Sequence, residues 1–201
     1  MYALYVTHPQ VVKDPAVPVP RWGLSPEGAA RAGAFAGHPL LRGVSRIVSS
    51  DERKAVELAG ILAEACGAPV AVDPGCGEND RSATGYVPPE RFEALADAFF
   101  AQPDRSTNGW ETAAAAQARI VAAFERALLA HDADWPLLFA GHGAVGTLLK
   151  CHLGGRAIAR AEDQRRVGDP GGGNVFAIRL ADRRLLCDWT PMERLPASLD
   201  L

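Results

Sequence analysis

Short apolar runs alternate along the chain with segments whose apolar residues recur at helical spacing. The strand-like runs cover Tyr2–Thr7 and residues 45–49, 69–72, 135–140, 175–180 and 185–189. Helical spacing marks residues 26–35, 55–62, 92–99, 110–131 and 144–153. Strands that alternate with helices predict an α/β fold, here a three-layer sandwich around a mostly parallel central sheet. The last two runs predict a closing hairpin, joined at Asp182-Arg183.

Two helix starts are marked by capping patterns. Ser25, Pro26 and Glu27 have the order of an N-cap, a first-position proline and a first-turn acid, which predicts a helix to about residue 35. Ser49 and Glu52 have capping-box spacing and predict the start of the next helix. The buried face of that helix is expected to carry Ala55, Leu58, Ala59 and Leu62.

Two segments do not fit regular structure. Residues 9–21 carry four prolines, and residues 76–89 are polar and rich in glycine. In parallel sheets, ligands bind beyond the carboxyl ends of the strands. We therefore expect both segments to form the lid of a pocket at that edge.

Composition narrows the class of protein. The 201 residues are 48% apolar and carry a net charge of −3, which predicts one domain over residues 1–201 and no general attraction to nucleic acid or anionic lipid. No apolar run has the length of a membrane span, and the opening residues do not resemble a signal peptide. The four cysteines form no CxxC pair, which argues against a zinc site or a disulfide framework. We expect a cytoplasmic protein; no pattern indicates its oligomeric state.

The sequence Gly141-x-Gly143-x-x-Gly146 follows a predicted strand and opens a helix. This spacing is the dinucleotide-binding fingerprint, but too little chain follows it to complete a Rossmann sheet. The alternative is a backbone turn at a helix start, where Gly143 offers its N–H to an anion.

His8 and His142 each follow a predicted strand directly. Two neutral imidazoles could bind a metal together with Asp80, but no metal-ligand motif such as HExxH is present. Phosphoryl transfer suits the pair better, because one imidazole can attack phosphorus while the other donates to the equatorial oxygens.

Six short segments in order resemble the histidine phosphatase superfamily, which has the phosphoglycerate mutase-like fold. They are Thr-His-Pro at 7–9, Trp-Gly-Leu-Ser-Pro-Glu-Gly at 22–28, Ser-Ser-Asp-Glu-Arg-Lys-Ala at 49–55, Gly-Glu-Asn-Asp at 77–80, Gly-Trp-Glu-Thr at 109–112 and Gly-His-Gly at 141–143. The resemblance runs from residue 2 to about residue 180.

This resemblance implies a metal-independent phosphatase that needs no cofactor and acts on a small phosphorylated substrate. It implies that His8 becomes phosphorylated, that His142 stabilises charge and that Glu78 protonates the leaving group. Asp80 is the alternative to Glu78, since both lie in the same polar turn.

The chain departs from the family pattern at two phosphate-binding positions. Thr7 stands where the family has the arginine before the nucleophile, and Lys54 replaces the arginine of the second motif. A planar guanidinium binds a phosphoryl group through two bonds, whereas lysine supplies a point charge.

We expect Arg81 or Arg21 to compensate, with the Thr7 hydroxyl and the Gly143 N–H as neutral donors. The two departures keep open the alternative of a weak or inactive relative that binds a phosphorylated or anionic ligand.

Overall fold

The computed structural model describes residues 1–200 and contains a six-stranded sheet of order β3-β2-β4-β1-β5-β6. Its strands are β1 (Tyr2–Thr7), β2 (Arg46–Ser49), β3 (Val70–Val72), β4 (Leu137–Gly141), β5 (Asn174–Arg179) and β6 (Leu185–Pro191). The three pairings among β1 to β4 are parallel, and those of β5 with β1 and β6 are antiparallel. The predicted α/β class and the closing hairpin are confirmed.

Helices cover both faces of the sheet, which gives the three layers. They are α1 (Pro26–Phe35), α2 (Arg53–Cys66), α3 (Pro89–Ala101), α4 (Ala113–Leu129), α5 (Gly143–Leu153) and the short α6 (Gln164–Val167). Residues of α1 and α2 pack in one apolar cluster, and residues of α3, α4 and α5 pack in the other. Within residues 1–200, no helix is both long and apolar enough to span a membrane.

Strand β1 lies in the middle of the sheet and is buried on both faces. Leu4 and Val6 point into the cluster with α1 and α2, while Ala3 and Tyr5 point into the other. Successive side chains of a strand point to opposite faces, so a central strand covered by helices on both sides has to be apolar throughout.

Of the two predicted helix caps, the first is confirmed, whereas the second is wrong although the helix itself begins directly after Glu52. The Ser25 hydroxyl accepts a hydrogen bond from the Gly28 N–H at 3.1 Å and caps α1. Ser49 does not cap α2, because it ends β2 and its hydroxyl donates to the Ser50 carbonyl instead. Glu52 itself occupies the N-cap position of α2, and its side chain turns away from the helix into the site described below.

The parallel pairing of β1, β2 and β4 brings their carboxyl ends to one edge of the sheet. The His8 N–H donates to the Gly141 carbonyl at 3.0 Å, and the Ser50 N–H donates to the Ala140 carbonyl at 3.3 Å. His142 directly follows β4. Residues that are far apart in sequence therefore meet at the sheet edge where ligands of such folds bind.

Candidate active site

The two histidines that follow β1 and β4 face each other at the sheet edge. Their ring centroids lie 5.3 Å apart, and the ring planes cross at 69°. His142 is fully buried, whereas His8 lines a cavity of about 520 Å³. His8 is therefore the member of the pair whose side chain lines the cavity.

His8 is held as a neutral ring with one free nitrogen. Its Nδ1 lies 2.9 Å from the Pro9 carbonyl oxygen, which can only accept, so Nδ1 carries the proton. Burial and the neighbouring Lys54 cation lower the pKa of His8 to about 4. Nε2 thus keeps its lone pair at neutral pH, as a nucleophile requires.

His142 is oriented by a hydroxyl and a carboxylate. Its Nε2 lies 2.7 Å from the Ser50 Oγ and 3.6 Å from the Glu52 Oε1. Burial lowers the pKa of His142 to about 4, although Glu52 and Glu78 act in the opposite direction. The buried Nδ1 has no hydrogen-bond partner among residues 1–200. Such a group is costly unless a ligand or water completes its bonding.

Lys54 reaches the site but shares its charge with an acid. The ammonium donates to the Glu52 carboxylate and, at 3.0 Å, to the Val19 carbonyl. The Lys54 side chain is only 4% exposed, and it lines the cavity. Burial disfavours the ionised form of Glu52, but His142 and Lys54 outweigh this effect and lower the pKa of Glu52 to about 2. The cation is therefore largely neutralised within the site.

Glu78 lies at the N-terminus of α5. Its Oε2 accepts from the Ala144 N–H at 3.2 Å, and its Oε1 accepts from the Val145 N–H at 3.1 Å. Its own N–H donates to the Glu52 carboxylate at 2.9 Å. The N-terminal amides of a helix attract anions, and here the Glu78 carboxylate already occupies two of them.

The loop that carries Glu78 is held from behind by an arginine on α4. The Arg119 guanidinium donates to the Gly75, Gly77 and Glu78 carbonyls at 2.8 to 3.1 Å. It also forms a two-pronged pair with Glu111. These bonds fix the backbone of the loop. Arg119 therefore helps to hold Glu78 in place, in addition to the hydrogen bonds of the Glu78 carboxylate itself.

The two arginines predicted to compensate occupy different places. Arg81 lines the cavity, lies close enough to His8 to depress its pKa, and forms no ion pair with any carboxylate of residues 1–200. Its guanidinium lies 5.3 Å from the ring centre of Phe92 and 5.6 Å from that of Trp110. Arg21 is exposed and does not line the cavity. The structure therefore brings Arg81, and not Arg21, to the histidines.

Thr7 precedes His8 but points away from the cavity. Its hydroxyl donates to the Gln164 Oε1 at 2.8 Å and accepts from the Asn174 N–H at 2.9 Å. Asn174 also donates through Nδ2 to the same Gln164 oxygen. All three residues are buried. The Thr7 hydroxyl is thus used in a polar network that joins α6 and β5 to β1, and it is not aimed at a ligand.

The glycines of the Gly141-x-Gly143-x-x-Gly146 pattern are explained by packing. A side chain at Gly141 or Gly146 would meet the Tyr5 ring, and one at Gly143 would meet the Gln164 amide. Gly143 also lines the cavity as the first residue of α5, where N–H groups have no partner within the helix. The pattern therefore reflects close contacts around the site and does not require a dinucleotide.

Asp80 lies outside this arrangement. It is exposed, does not line the cavity, and accepts a hydrogen bond from the Ser82 N–H at 2.8 Å. Within residues 1–200, no group of three or more His, Cys, Asp or Glu side chains has the geometry of a metal site. The set of His8, His142 and Asp80 that a metal would need is not brought together.

Both irregular segments contribute to the cavity, as expected. Residues 9–21 contribute Pro9, Gln10, Val11, Lys13 and Val19, and residues 76–89 contribute Glu78, Asn79, Arg81, Gly85, Tyr86, Val87 and Pro89. The glycine-rich turn at 171–173 completes the wall next to His8, and its Gly173 N–H donates to the His8 carbonyl at 3.1 Å.

The family model of the histidine phosphatase superfamily (branch 1) matches residues 18–182. The chain belongs to the histidine phosphatase superfamily. This confirms the family that the six short segments resemble. The match begins ten residues after His8, in the part of the chain that follows the altered Thr7-His8-Pro9 segment.

Solved structures of histidine phosphatase fold resemble this member of the superfamily along almost its whole length. The mycobacterial glucosyl-3-phosphoglycerate phosphatase has a TM-score of 0.74 at 20% identity, covering 94% of this chain and 98% of that chain. A protein described as mycobacterial hydrolase 1 has a TM-score of 0.70 at 23% identity, with coverages of 92% and 95%. TTHB049 from Thermus thermophilus has a TM-score of 0.61 at 22% identity, with coverages of 94% and 99%. No curated protein sequence gives a significant match.

Sequence reasoning misses several residues around the site of this histidine phosphatase superfamily member. The sequence pattern marks Glu52 only as part of a capping box, although it contacts Lys54 and lies beside His142. Arg119 and Gln164 carry no motif of their own. Of these residues, only Glu52 could have been predicted from the sequence. An acid two positions before Lys54 on a strand-to-helix turn can fold back and pair with the lysine.

Proposed function

We propose that this protein is a metal-independent phosphatase that hydrolyses a small phosphomonoester through a phosphohistidine. The observation that carries the proposal is His8, a neutral imidazole with Nδ1–H bonded to Pro9 and Nε2 free beside the cavity. His142, Lys54, Arg81 and the Gly143 N–H are the donors around it. Membership in the histidine phosphatase superfamily supports the same chemistry.

In the first step, Nε2 of His8 attacks phosphorus while the bond from phosphorus to the ester oxygen breaks. Glu78 in its protonated form gives its proton to that oxygen, which leaves as an alcohol. The charge on the three equatorial oxygens is met by His142, Lys54 and Arg81. In the second step, water attacks the phosphohistidine, Glu78 takes up one proton of the water, and inorganic phosphate and free His8 are restored.

Glu78 has a second effect in this scheme. Its carboxylate accepts the Ala144 and Val145 N–H groups, which are the anion-binding amides of α5. An incoming phosphoryl group therefore meets an internal anion beside its own site. Protonation of Glu78 removes this repulsion and at the same time supplies the proton that the leaving group needs.

Trapping of the intermediate tests the proposal. An aryl phosphate is mixed with the protein in EDTA, the reaction is stopped, and the adduct is mapped by mass spectrometry. We expect an acid-labile, base-stable phosphoryl group on His8 and steady turnover despite the chelator. His8→Asn is the matched variant without a nucleophile. Turnover by this variant at the wild-type rate, or activity that returns only with added zinc, would overturn the mechanism.

A second candidate function is a binding module for a phosphorylated or anionic ligand. The observation that favours it is the Lys54–Glu52 pair, which neutralises the cation at a position where the family has arginine, while Thr7 supplies no charge. Binding of inorganic phosphate or vanadate without any phosphohistidine would support this candidate. Both probes are suitable, because the mycobacterial glucosyl-3-phosphoglycerate phosphatase has been solved with inorganic phosphate and with VO3.

A further inference from the structure

Beside His8, the same cavity is lined by six aromatic side chains. We call this surface the aromatic wall; it consists of Trp22, Tyr86, Phe92, Phe99, Phe100 and Trp110. The cavity volume of about 520 Å³ is within the range that holds a small organic molecule. The wall therefore has room for a leaving group larger than the phosphoryl group itself.

The polar atoms of the two tryptophans are already paired within the protein. The Trp22 Nε1–H donates to the Asp14 and Val17 carbonyls at 2.9 and 3.0 Å. The Trp110 Nε1–H donates to the Thr84 hydroxyl at 2.8 Å. A ligand against these residues therefore meets carbon surface and finds no unpaired indole N–H.

Two arginines near the aromatic wall differ in whether they are paired with carboxylates. Arg160 is bound by three acids, Glu93, Asp97 and Asp163. Arg81, by contrast, has no carboxylate partner among residues 1–200 and lies over the rings of Phe92 and Trp110. Arg81 thus lies close both to His8 and to two rings of the aromatic wall.

From this arrangement we infer that the substrate is a phosphomonoester with an aromatic leaving group, which packs on the aromatic wall while its phosphoryl group lies against His8. This inference rests on the proposed phosphatase function. Aromatic rings gain both from buried apolar area and from stacked or edge-to-face contacts. Against the two indoles, whose N–H groups are paired, and the three phenylalanine rings, a leaving group with many hydroxyls would lose its water without gaining hydrogen bonds.

The test compares three esters whose leaving alcohols have similar intrinsic reactivity: benzyl phosphate, propyl phosphate and glucose 6-phosphate. We expect kcat/KM for benzyl phosphate to exceed that for propyl phosphate by at least about 10-fold, because the buried ring adds several CH₂ equivalents of apolar contact. Glucose 6-phosphate should be the poorest of the three. Equal values for benzyl and propyl phosphate, or a preference for the sugar ester, would overturn the inference while the phosphatase function stands.

Calorimetry with non-hydrolysable phosphonates separates the two proposals. Benzylphosphonate should bind about 10-fold more tightly than propylphosphonate, whether or not the protein turns over esters. Tighter binding without any hydrolysis would support the aromatic site and contradict the phosphatase function. Equal binding of the two phosphonates would contradict the aromatic site.

One variant and one control test whether the aromatic wall causes the preference for the benzyl compound. Tyr86 is half-buried, its ring centre lies 5.7 Å from that of Trp22, and it is not one of the two rings over which Arg81 lies. Tyr86→Ala should reduce the ratio of benzylphosphonate to propylphosphonate affinity toward one. Trp135 is 52% exposed and does not line the cavity, so Trp135→Ala should leave the ratio unchanged. A ratio that persists in Tyr86→Ala, or falls equally in both variants, would contradict the assignment.

Discussion

The ammonium of Lys54 is hydrogen-bonded to the carboxylate of Glu52, two residues before it, at the floor of the cavity beside both histidines. The lysine of this pair stands where the resemblance to the family's second motif places an arginine. A cation that is bound to a carboxylate attracts a phosphoryl group less than a free one does. We therefore expect the pair to weaken anion binding at this site.

The first prediction concerns the release of this cation. Glu52→Gln removes the negative charge, but the amide oxygen can still accept the Glu78 N–H. We expect inorganic phosphate and vanadate to bind about 10-fold more tightly, equivalent to about 1.4 kcal/mol. Calorimetric titration measures the change. Glu64→Gln is a matched control, since Glu64 is exposed on the same helix. Weaker or unchanged binding in Glu52→Gln would contradict the prediction.

The second prediction separates the two arginines. Arg81 lies in the cavity near His8, whereas Arg21 is exposed outside it. Removal of one donor to the transition-state oxygens typically costs about 10²–10³ in rate, so Arg81→Ala should lose about that much in kcat. Arg21→Ala should change kcat less than a few-fold. Single-turnover kinetics with an aryl phosphate provides the comparison. An equal loss in both variants would show that neither acts through a specific contact.

The third prediction concerns protonation. Burial lowers the pKa of both His8 and His142 to about 4. Their rings should therefore remain neutral at pH 5.5, where an unperturbed histidine with a pKa of 6.5 is mostly protonated. NMR titration of the ring carbons measures this directly. A midpoint near 6.5 for either ring would mean that water reaches it freely.

The same two groups make folding dependent on pH. Between about pH 6.5 and 4, the unfolded chain takes up protons on these histidines that the folded chain does not, so stability falls as the pH falls. From pH 7.5 to 5, His142 alone accounts for a loss of about 2 kcal/mol. Below the ordinary pKa of Glu52 of 4.5, the unfolded chain also takes up a proton on this carboxylate, whose pKa in the folded chain is about 2, and this adds to the loss. Urea unfolding at the two pH values should show a smaller difference for His142→Gln than for the wild type.

The fourth prediction concerns the proton for the leaving group. Glu78→Gln cannot donate a proton, so kcat for benzyl phosphate should fall by about 10²–10⁴. For p-nitrophenyl phosphate the loss should be much smaller, because nitrophenolate leaves without a proton. The variant should also bind inorganic phosphate more tightly, since an anion beside the α5 amides is gone.

Asp80→Asn is the matched control for this variant, because Asp80 lies in the same loop outside the cavity. A loss in Glu78→Gln that is equal for both esters would point to misplacement of the loop. If Asp80→Asn instead loses as much activity as is expected for Glu78→Gln, the proton donor is Asp80 and the assignment to Glu78 is wrong.

The sequence alone determines the fold class and the positions of the two histidines. Apolar runs such as Tyr2–Thr7 end directly before His8, and parallel strands align their carboxyl ends, so the periodicity of the chain already places His8 and His142 at one sheet edge. The role of Ser25 as the cap of α1 is likewise predictable from the sequence, because a helix cap depends on residues within one turn.

Only the tertiary structure decides which charges face the cavity. Arg81 and Arg21 look alike in the sequence, yet aromatic contacts with Phe92 and Trp110 hold the first in the cavity while the second stays exposed. Thr7 is adjacent to His8, but Gln164, more than 150 residues later, binds its hydroxyl. Local patterns report the backbone within a few residues, whereas the direction of a polar side chain depends on partners that long-range packing supplies.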